Sequence, residues 1–338
     1  MIIVMQRHAP QEHIDRVLTE ITRYEGLKPV PLIGTERTVI AVIGDERMID
    51  ERHMASLPGV SNVMPVLRPY KLASRETKFE KTVVKIRDVE IGGQTIAVMA
   101  GPCSVENEEQ MDMAARGAKA AGSMILRGGA FKPRTAPYAF QGHGRPAVLM
   151  LEKAAKAHGM VSVSEIMDVR DVDFMAQHID MLQIGARNMQ NFDLLKEVGK
   201  ANKPVLLKRG LSATIKEFLL AAEYILAQGN QNVVLCERGI RTFEDETRNT
   251  LCIATVPIIN ELSHLPIIVD PSHGTGKPKL IPPMSRAAIA AGADGIMIEV
   301  HPNPAVAMSD ADQALNLEQF EALMDDIRPI VVAMKKKM

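Results

Sequence analysis

Cys103, His273, Glu299 and Asp310 offer one soft thiolate, one imidazole and two carboxylates. Those are reasonable ligands for a divalent transition metal. His301, two residues past Glu299, competes with His273 for the imidazole position. A second concentration of chemistry lies in residues 127–145. It holds Arg127, Lys132, Arg134 and Arg145 and no acid. Glycines and prolines interrupt it, so it is neither one helix nor one strand. It is too long for an ordinary connection in a compact domain, which points to a functional loop. Guanidinium and ammonium groups in a glycine-rich loop suit an anion, most often a phosphate.

The 338 residues carry a net charge of −1, so bulk charge implies no nucleic-acid partner. Three cysteines, an odd and sparse number, argue for a reducing compartment and against a disulfide framework. Charged residues interrupt the N-terminus, so no signal peptide is read, and no apolar run is long enough for a membrane span. The expected location is the cytoplasm.

From residue 95 onward, short apolar runs alternate with stretches of helical spacing. The strand candidates are 96–100, 124–126, 161–164, 181–184, 205–207, 233–235, 267–269 and 295–298. Helices are expected over 108–121, 146–158, 169–177, 191–198, 214–228, 247–262, 284–291 and 317–335. Eight strands, each followed by a helix, over about 250 residues give a (β/α)8 TIM barrel. An open doubly wound sheet is disfavoured, because no Gly-x-Gly-x-x-Gly follows the first strand.

Chemistry in such a barrel sits at the C-terminal ends of strands. Here each of those ends carries polar or charged groups. In chain order they are Gly101-Pro102-Cys103-Ser104, Arg127, Glu165, Gly185-Ala186-Arg187, Lys208, Arg238, Asp270-Pro271-Ser272-His273, and Glu299 with Asp310 beyond. Arg127, Lys132, Arg134, Arg187, Lys208 and Arg238 would converge in one mouth, and such a cluster repels itself unless anions neutralise it. Two phosphorylated substrates, or a phosphate and a carboxylate, would suit it. Strands one and eight adjoin in a closed barrel, so the loops bearing Cys103, Glu299 and Asp310 are neighbours. Cys236 and Cys252 are read as inert.

Residues 1–70 form a separate unit. Strands are expected at 2–5, 30–33, 39–43 and 63–67, with helices around 14–21 and over 45–57. That is the βαββαβ order of a ferredoxin-like α+β domain. Residues 71–81 are charged and weakly periodic and read as a linker, leaving 82–338 for the barrel. A strand pair at 83–86 and 89–91 precedes Gly92-Gly93.

The Gly-Pro-Cys-Ser turn, Arg127 with Lys132-Pro133-Arg134-Thr135, Gly185-Ala186-Arg187, Asp270-Pro271-Ser272-His273 and Glu299 closely resemble the 3-deoxy-D-arabino-heptulosonate 7-phosphate (DAHP) synthases. The N-terminal unit resembles the ferredoxin-like regulatory domain of one subgroup of that family. The resemblance implies condensation of phosphoenolpyruvate with erythrose 4-phosphate and water, the first step of the shikimate route. It implies a divalent ion (Mn, Fe, Co, Zn or similar) on Cys103, His273, Glu299 and Asp310. It gives phosphoenolpyruvate to Arg127, Lys132, Arg187, Lys208 and Arg238 with Glu165 behind them and Gly185-Ala186 alongside. Lys132, Pro133, Arg134, Thr135 and Asp270 would shape the erythrose 4-phosphate site. Lys132, Asp270 or a metal-bound water would donate the proton. Barrels of that family are usually tetramers or dimers of dimers, so a homotetramer is expected. The open sheet of residues 1–70, which carry none of the expected ligands, suggests an effector between domains, tyrosine or phenylalanine, with prephenate or chorismate as the alternative. The related 3-deoxy-manno-octulosonate 8-phosphate synthases share the barrel, but their loop typically reads Lys-Ala-Asn-Arg-Ser where this chain has Lys-Pro-Arg-Thr. A non-catalytic amino-acid sensor with a degenerate barrel is the rival of another class, and the intact set of strand ends argues against it.

Overall fold

The computed structural model describes residues 1–34, 36–44, 48–64, 69–133 and 136–338. They form two compact units, Met1–Lys81 with Leu262–His264, and Thr82–Glu261 with Leu265–Met338.

In the first unit β1 (Ile2–Met5), α1 (Gln11–Thr22), β2 (Lys28–Ile33), β3 (Thr38–Ile43), α2 (Glu51–Ala55) and β4 (Val60–Met64) follow the expected order. The antiparallel sheet runs β2-β3-β1-β4. Ile14, Val17 and Ile21, spaced three and four apart, bury one stripe of α1. They pack with Ile3, Met5, Ile40, Val42 and Met54. The second helix is shorter than 45–57. It begins where Asp50 accepts hydrogen bonds from the Arg52 and His53 amides. Residues 45–47, at the expected start of that helix, and 65–67, at the end of the expected last strand, lie outside the described residues.

Residues 71–81 are folded within this unit. Leu72, Ala73, Ser74 and Thr77 are fully buried. The Arg75 amide donates to Leu262 O at 2.9 Å, and His264 Nε2 lies 2.6 Å from Leu72 O.

The second unit opens with a hairpin, β5 (Val84–Ile86) and β6 (Val89–Ile91). Eight parallel strands follow: β7 (Ala97–Gly101), β8 (Ile125–Arg127), β9 (Val161–Ile166), β10 (Met181–Ile184), β11 (Val205–Lys208), β12 (Val233–Glu237), β13 (Ile267–Val269) and β14 (Gly295–Glu299). They close into a barrel through β14 and β7, with Glu299 opposite Gly101. The helices are α3 (Glu108–Ala120), α4 (Arg145–Ala157), α5 (Val172–His178), α6 (Phe192–Lys200), α7 (Ile215–Leu226), α8 (Thr255–Leu262), α9 (Pro271–Thr275), α10 (Ile281–Ala290) and α11 (Leu317–Ala333).

Three helical stretches differ from expectation. The helix expected from 247 begins only at Thr255. Ahead of it, the Arg248 and Asn249 amides donate to the carbonyls of Thr275 and Gly274 instead of to a helical turn. Residues 169–171 form a 3₁₀ turn before α5. The short α9 falls inside the loop after β13, with Asp270 as its cap and Pro271 in its first turn.

The barrel interior is apolar below and charged above. Met99, Ile125, Val163, Met181, Leu206, Cys236, Ile268 and Met297 share one core with Val84, Ile86, Val89 and Ile91 of the hairpin. That core fills the N-terminal end of the barrel.

Candidate active site and metal centre

Side chains alternate across a strand, so the residue two further on faces inward again. Two past the eight inward core residues stand Gly101, Arg127, Glu165, Gln183, Lys208, Arg238, Asp270 and Glu299. The periodicity that fills the barrel with apolar groups therefore places this charged ring at its C-terminal mouth.

Cys103, His273, Glu299 and Asp310 come together there. Each offers a ligand atom within 4.8 Å of the others. Cys103 Sγ is 3.1 Å from Asp310 Oδ2, and His273 Nε2 is 3.2 Å from Glu299 Oε1. Nδ1 of His273 faces Asp270 Oδ2 at 2.7 Å, which leaves Nε2 to the quartet. Such a carboxylate partner fixes the ring of a ligating histidine. Glu299 is fully buried; Arg127 Nη1 donates to its Oε1 at 2.9 Å and Gln313 Nε2 to its Oε2. Burial raises the pKa of Glu299, but His273 and Arg127 outweigh it and hold the carboxyl below its ordinary range. Burial, with Glu299 beside it, pushes the Cys103 thiol up to about 11, against the pull of Lys132. One thiol, one imidazole and two carboxylates, mutually close and oriented from behind, fit a divalent transition ion. His301 is outside the quartet. Its Nε2 faces Glu106 Oε2 at 3.5 Å, and its Nδ1 accepts from the Asn303 amide.

A cavity of about 150 Å³ adjoins the quartet. Lys132, Pro133, Glu165, Ala186, Arg187, Lys208, Arg238, His273 and Asp310 line it, all anticipated from strand ends and the basic loop. Lys132 Nζ lies 2.8 Å from Cys103 Sγ and 2.9 Å from its carbonyl. Glu165 accepts from Gln183 through Oε2 at 3.0 Å, while its buried Oε1 has no hydrogen-bond partner among the described residues. Gly185 makes room for this carboxylate, since a Cβ there would stand 2.0 Å from Glu165 Oε1.

Other anticipated residues sit elsewhere. Arg127 is buried and does not line the cavity; its Nη1 donates to Pro102 O and Glu299 Oε1. Asp270 is fully buried: Oδ2 accepts from Lys208 Nζ at 2.6 Å and Oδ1 from the His273 amide at 2.9 Å. Burial opposes its ionisation, but His273 and Lys208 hold its pKa well below the usual range. Arg145 points away from the mouth, pairing with Asp171 at 2.9 Å and lying over the Phe174 ring. Arg134 and Thr135 lie outside the described residues. Sequence reasoning missed Arg248, which lines the cavity, donates to Gln313 Oε1 at 2.6 Å and lies 3.5 Å from Asp310. Placing residues 247–262 in one helix hid it.

The sequence profile of the DAHP synthetase I family matches residues 75–333. The chain belongs to the DAHP synthetase I family. Residues 1–68 match the DAHP synthase ferredoxin-like domain, which accompanies the family barrel here. Phospho-2-dehydro-3-deoxyheptonate aldolase of Thermotoga maritima is 49% identical over 337 residues, covering 100% of this chain and 99% of that protein. The crystal structure of the Thermotoga DAHP synthase superposes with a TM-score of 0.79 at 48% identity, covering 99% of this chain and 98% of that one. A truncated form of the same enzyme covers 79% of this chain and 98% of that one, with a TM-score of 0.75 at 49% identity. A 2-dehydro-3-deoxyphosphooctonate aldolase from Syntrophotalea carbinolica is more distant, at 31% identity over 271 residues, 75% of this chain and 97% of that protein.

Proposed function

We propose that the chain is a DAHP synthase. It joins phosphoenolpyruvate to erythrose 4-phosphate, with water, and releases DAHP and inorganic phosphate. The observation that carries this reading is the cavity itself, where Lys132, Arg187, Lys208 and Arg238 stand beside the Cys103–His273–Glu299–Asp310 quartet.

Carbon 3 of the enol forms a bond to the aldehyde carbon, whose oxygen then takes a proton. Water adds at carbon 2, and the bond from carbon 2 to the phosphate oxygen breaks. Cys103, His273, Glu299 and Asp310 would hold a divalent ion, which supplies Lewis-acid polarisation of the aldehyde oxygen when bound. Arg187, Lys208 and Arg238 hold the phosphate and carboxylate of phosphoenolpyruvate, so the two substrates react as if in one molecule. Burial lowers the pKa of Arg238, so an anion beside it restores what desolvation costs.

Lys132 Nζ, 2.8 Å from Cys103 Sγ, donates the proton to the new alkoxide. Asp270 is less suited, because Lys208 and His273 already occupy its carboxylate; it orients them. Glu165 Oε1, with no hydrogen-bond partner among the described residues, accepts from the water that adds at carbon 2. Lys132-Pro133-Arg134-Thr135 grips the erythrose phosphate. Residues 1–70 contribute nothing to the described cavity wall and take a regulatory role, with tyrosine or phenylalanine as the effector.

Phosphate release tests the reading. With phosphoenolpyruvate present, erythrose 4-phosphate should outpace a five-carbon aldose phosphate by at least about tenfold. Faster release with the five-carbon sugar would favour the octulosonate activity. No release with either would favour a sensor.

A further inference from the structure

Behind two of the cavity cations lies a buried ion pair that the chemistry above does not use. Arg209 follows Lys208 at the end of β11, and Glu237 precedes Arg238 at the end of β12. Alternation along the strands turns Arg209 and Glu237 outward, toward the helices, while Lys208 and Arg238 face the cavity. Glu237 is fully buried and Arg209 nearly so. Arg209 Nη1 lies 2.8 Å from Glu237 Oε2 and also donates to Thr255 Oγ1 at 3.0 Å, at the start of α8. Arg209 Nε donates to Ala213 O at 2.9 Å. The other carboxylate oxygen of Glu237 accepts from the Gly239 amide at 2.6 Å, and its backbone carbonyl accepts from the Asp270 amide at 2.8 Å.

Two desolvated charges carry a cost that a pair of apolar side chains would not. What the charges supply is direction. Arg238 is the single residue between Glu237 and Gly239, so the Glu237 carboxylate closes a small ring around it. Gly239 has φ +85°, and a Cβ there would come within 2.7 Å of Asn249 Cβ, so the turn has little freedom to settle elsewhere. On the neighbouring strand, the Arg209 guanidinium ties the loop after Lys208 to the same carboxylate.

We propose that the Arg209–Glu237 pair is a positioning device that holds Lys208 and Arg238 in register for the anionic groups of phosphoenolpyruvate. Those two cations bind phosphoenolpyruvate in the function proposed above, and the role of the pair rests on that reading. Two variants of the full chain test it, E237Q and the apolar double variant R209M/E237L. Calorimetric titration with phosphoenolpyruvate is read beside circular dichroism and the KM values. The double variant should fold and melt no lower than the parent, because apolar replacement of a buried pair is often neutral. Its Kd for phosphoenolpyruvate should rise about tenfold or more, with the KM for erythrose 4-phosphate within about twofold of the parent. E237Q should show a smaller rise in the same direction, and it gives the reading if the double variant does not fold. A folded double variant with parental Kd overturns the proposal, as does loss of the fold in both variants, which would make the pair merely structural. A parent chain that binds no phosphoenolpyruvate overturns the functional reading first, and the pair's role with it.

Discussion

At the scale of single residues, the quartet makes the sharpest prediction. Cys103→Ala should keep the circular dichroism spectrum and lower affinity for Mn²⁺ or Co²⁺ by at least about 100-fold, read by competition with a chelator. Parental affinity would remove the thiolate from the ligand set. Arg248 props Gln313 against Glu299 and faces Asp310, so Arg248→Met should weaken the same ion by about tenfold. An unchanged ion affinity with weaker substrate binding would make it a substrate contact instead. All four members of the quartet were legible in the sequence because residue type and position at a strand end are both one-dimensional facts. Arg248 was not, because its place depends on a backbone pairing with residues 274 and 275. Nor could sequence separate Arg127 from Lys208. Both end inward-facing strand positions, and only the tertiary structure shows that Arg127 pairs with Glu299 while Lys208 lines the cavity.

At the scale of elements, the eight barrel strands were readable from their apolar runs, two of them, β10 and β13, with the observed limits. The folded state of 71–81 was not readable, because its charged residues mask the buried Leu72, Ala73, Ser74 and Thr77 between them. His264 reports on this strap. Burial lowers its pKa from 6.5 to about 4, despite the hydrogen bond to Leu72 O. Below about pH 6.5 the unfolded chain takes up a proton that the folded chain refuses until about pH 4, so stability is full at neutral pH and falls through that window as the pH drops. The loss is about 3 kcal/mol at most. Urea unfolding of the parent should weaken more between pH 7 and 4 than that of His264→Gln. Equal slopes would assign the effect to other groups.

At the scale of the whole molecule, the two units make separable predictions. A chain starting at Tyr70 keeps Leu72 and Ala73, the acceptors for His264 and Ser263, whereas one starting at Glu76 loses them. Both should turn over, and the shorter should melt a few degrees lower, since each lost hydrogen bond costs about 1 kcal/mol. Tyrosine or phenylalanine should inhibit the full chain and leave both truncated chains untouched. A full chain indifferent to both would remove the regulatory role of residues 1–70. The barrel has a further property that shows only in time. It closes where β14 meets β7, and the quartet straddles that seam, Cys103 just beyond β7 and Glu299 and Asp310 at and after β14. During synthesis the thiol is made 196 residues before Glu299 and 207 before Asp310. A nascent chain can therefore offer a cysteine but never a centre, and the site is finished only when the last strand docks against the first.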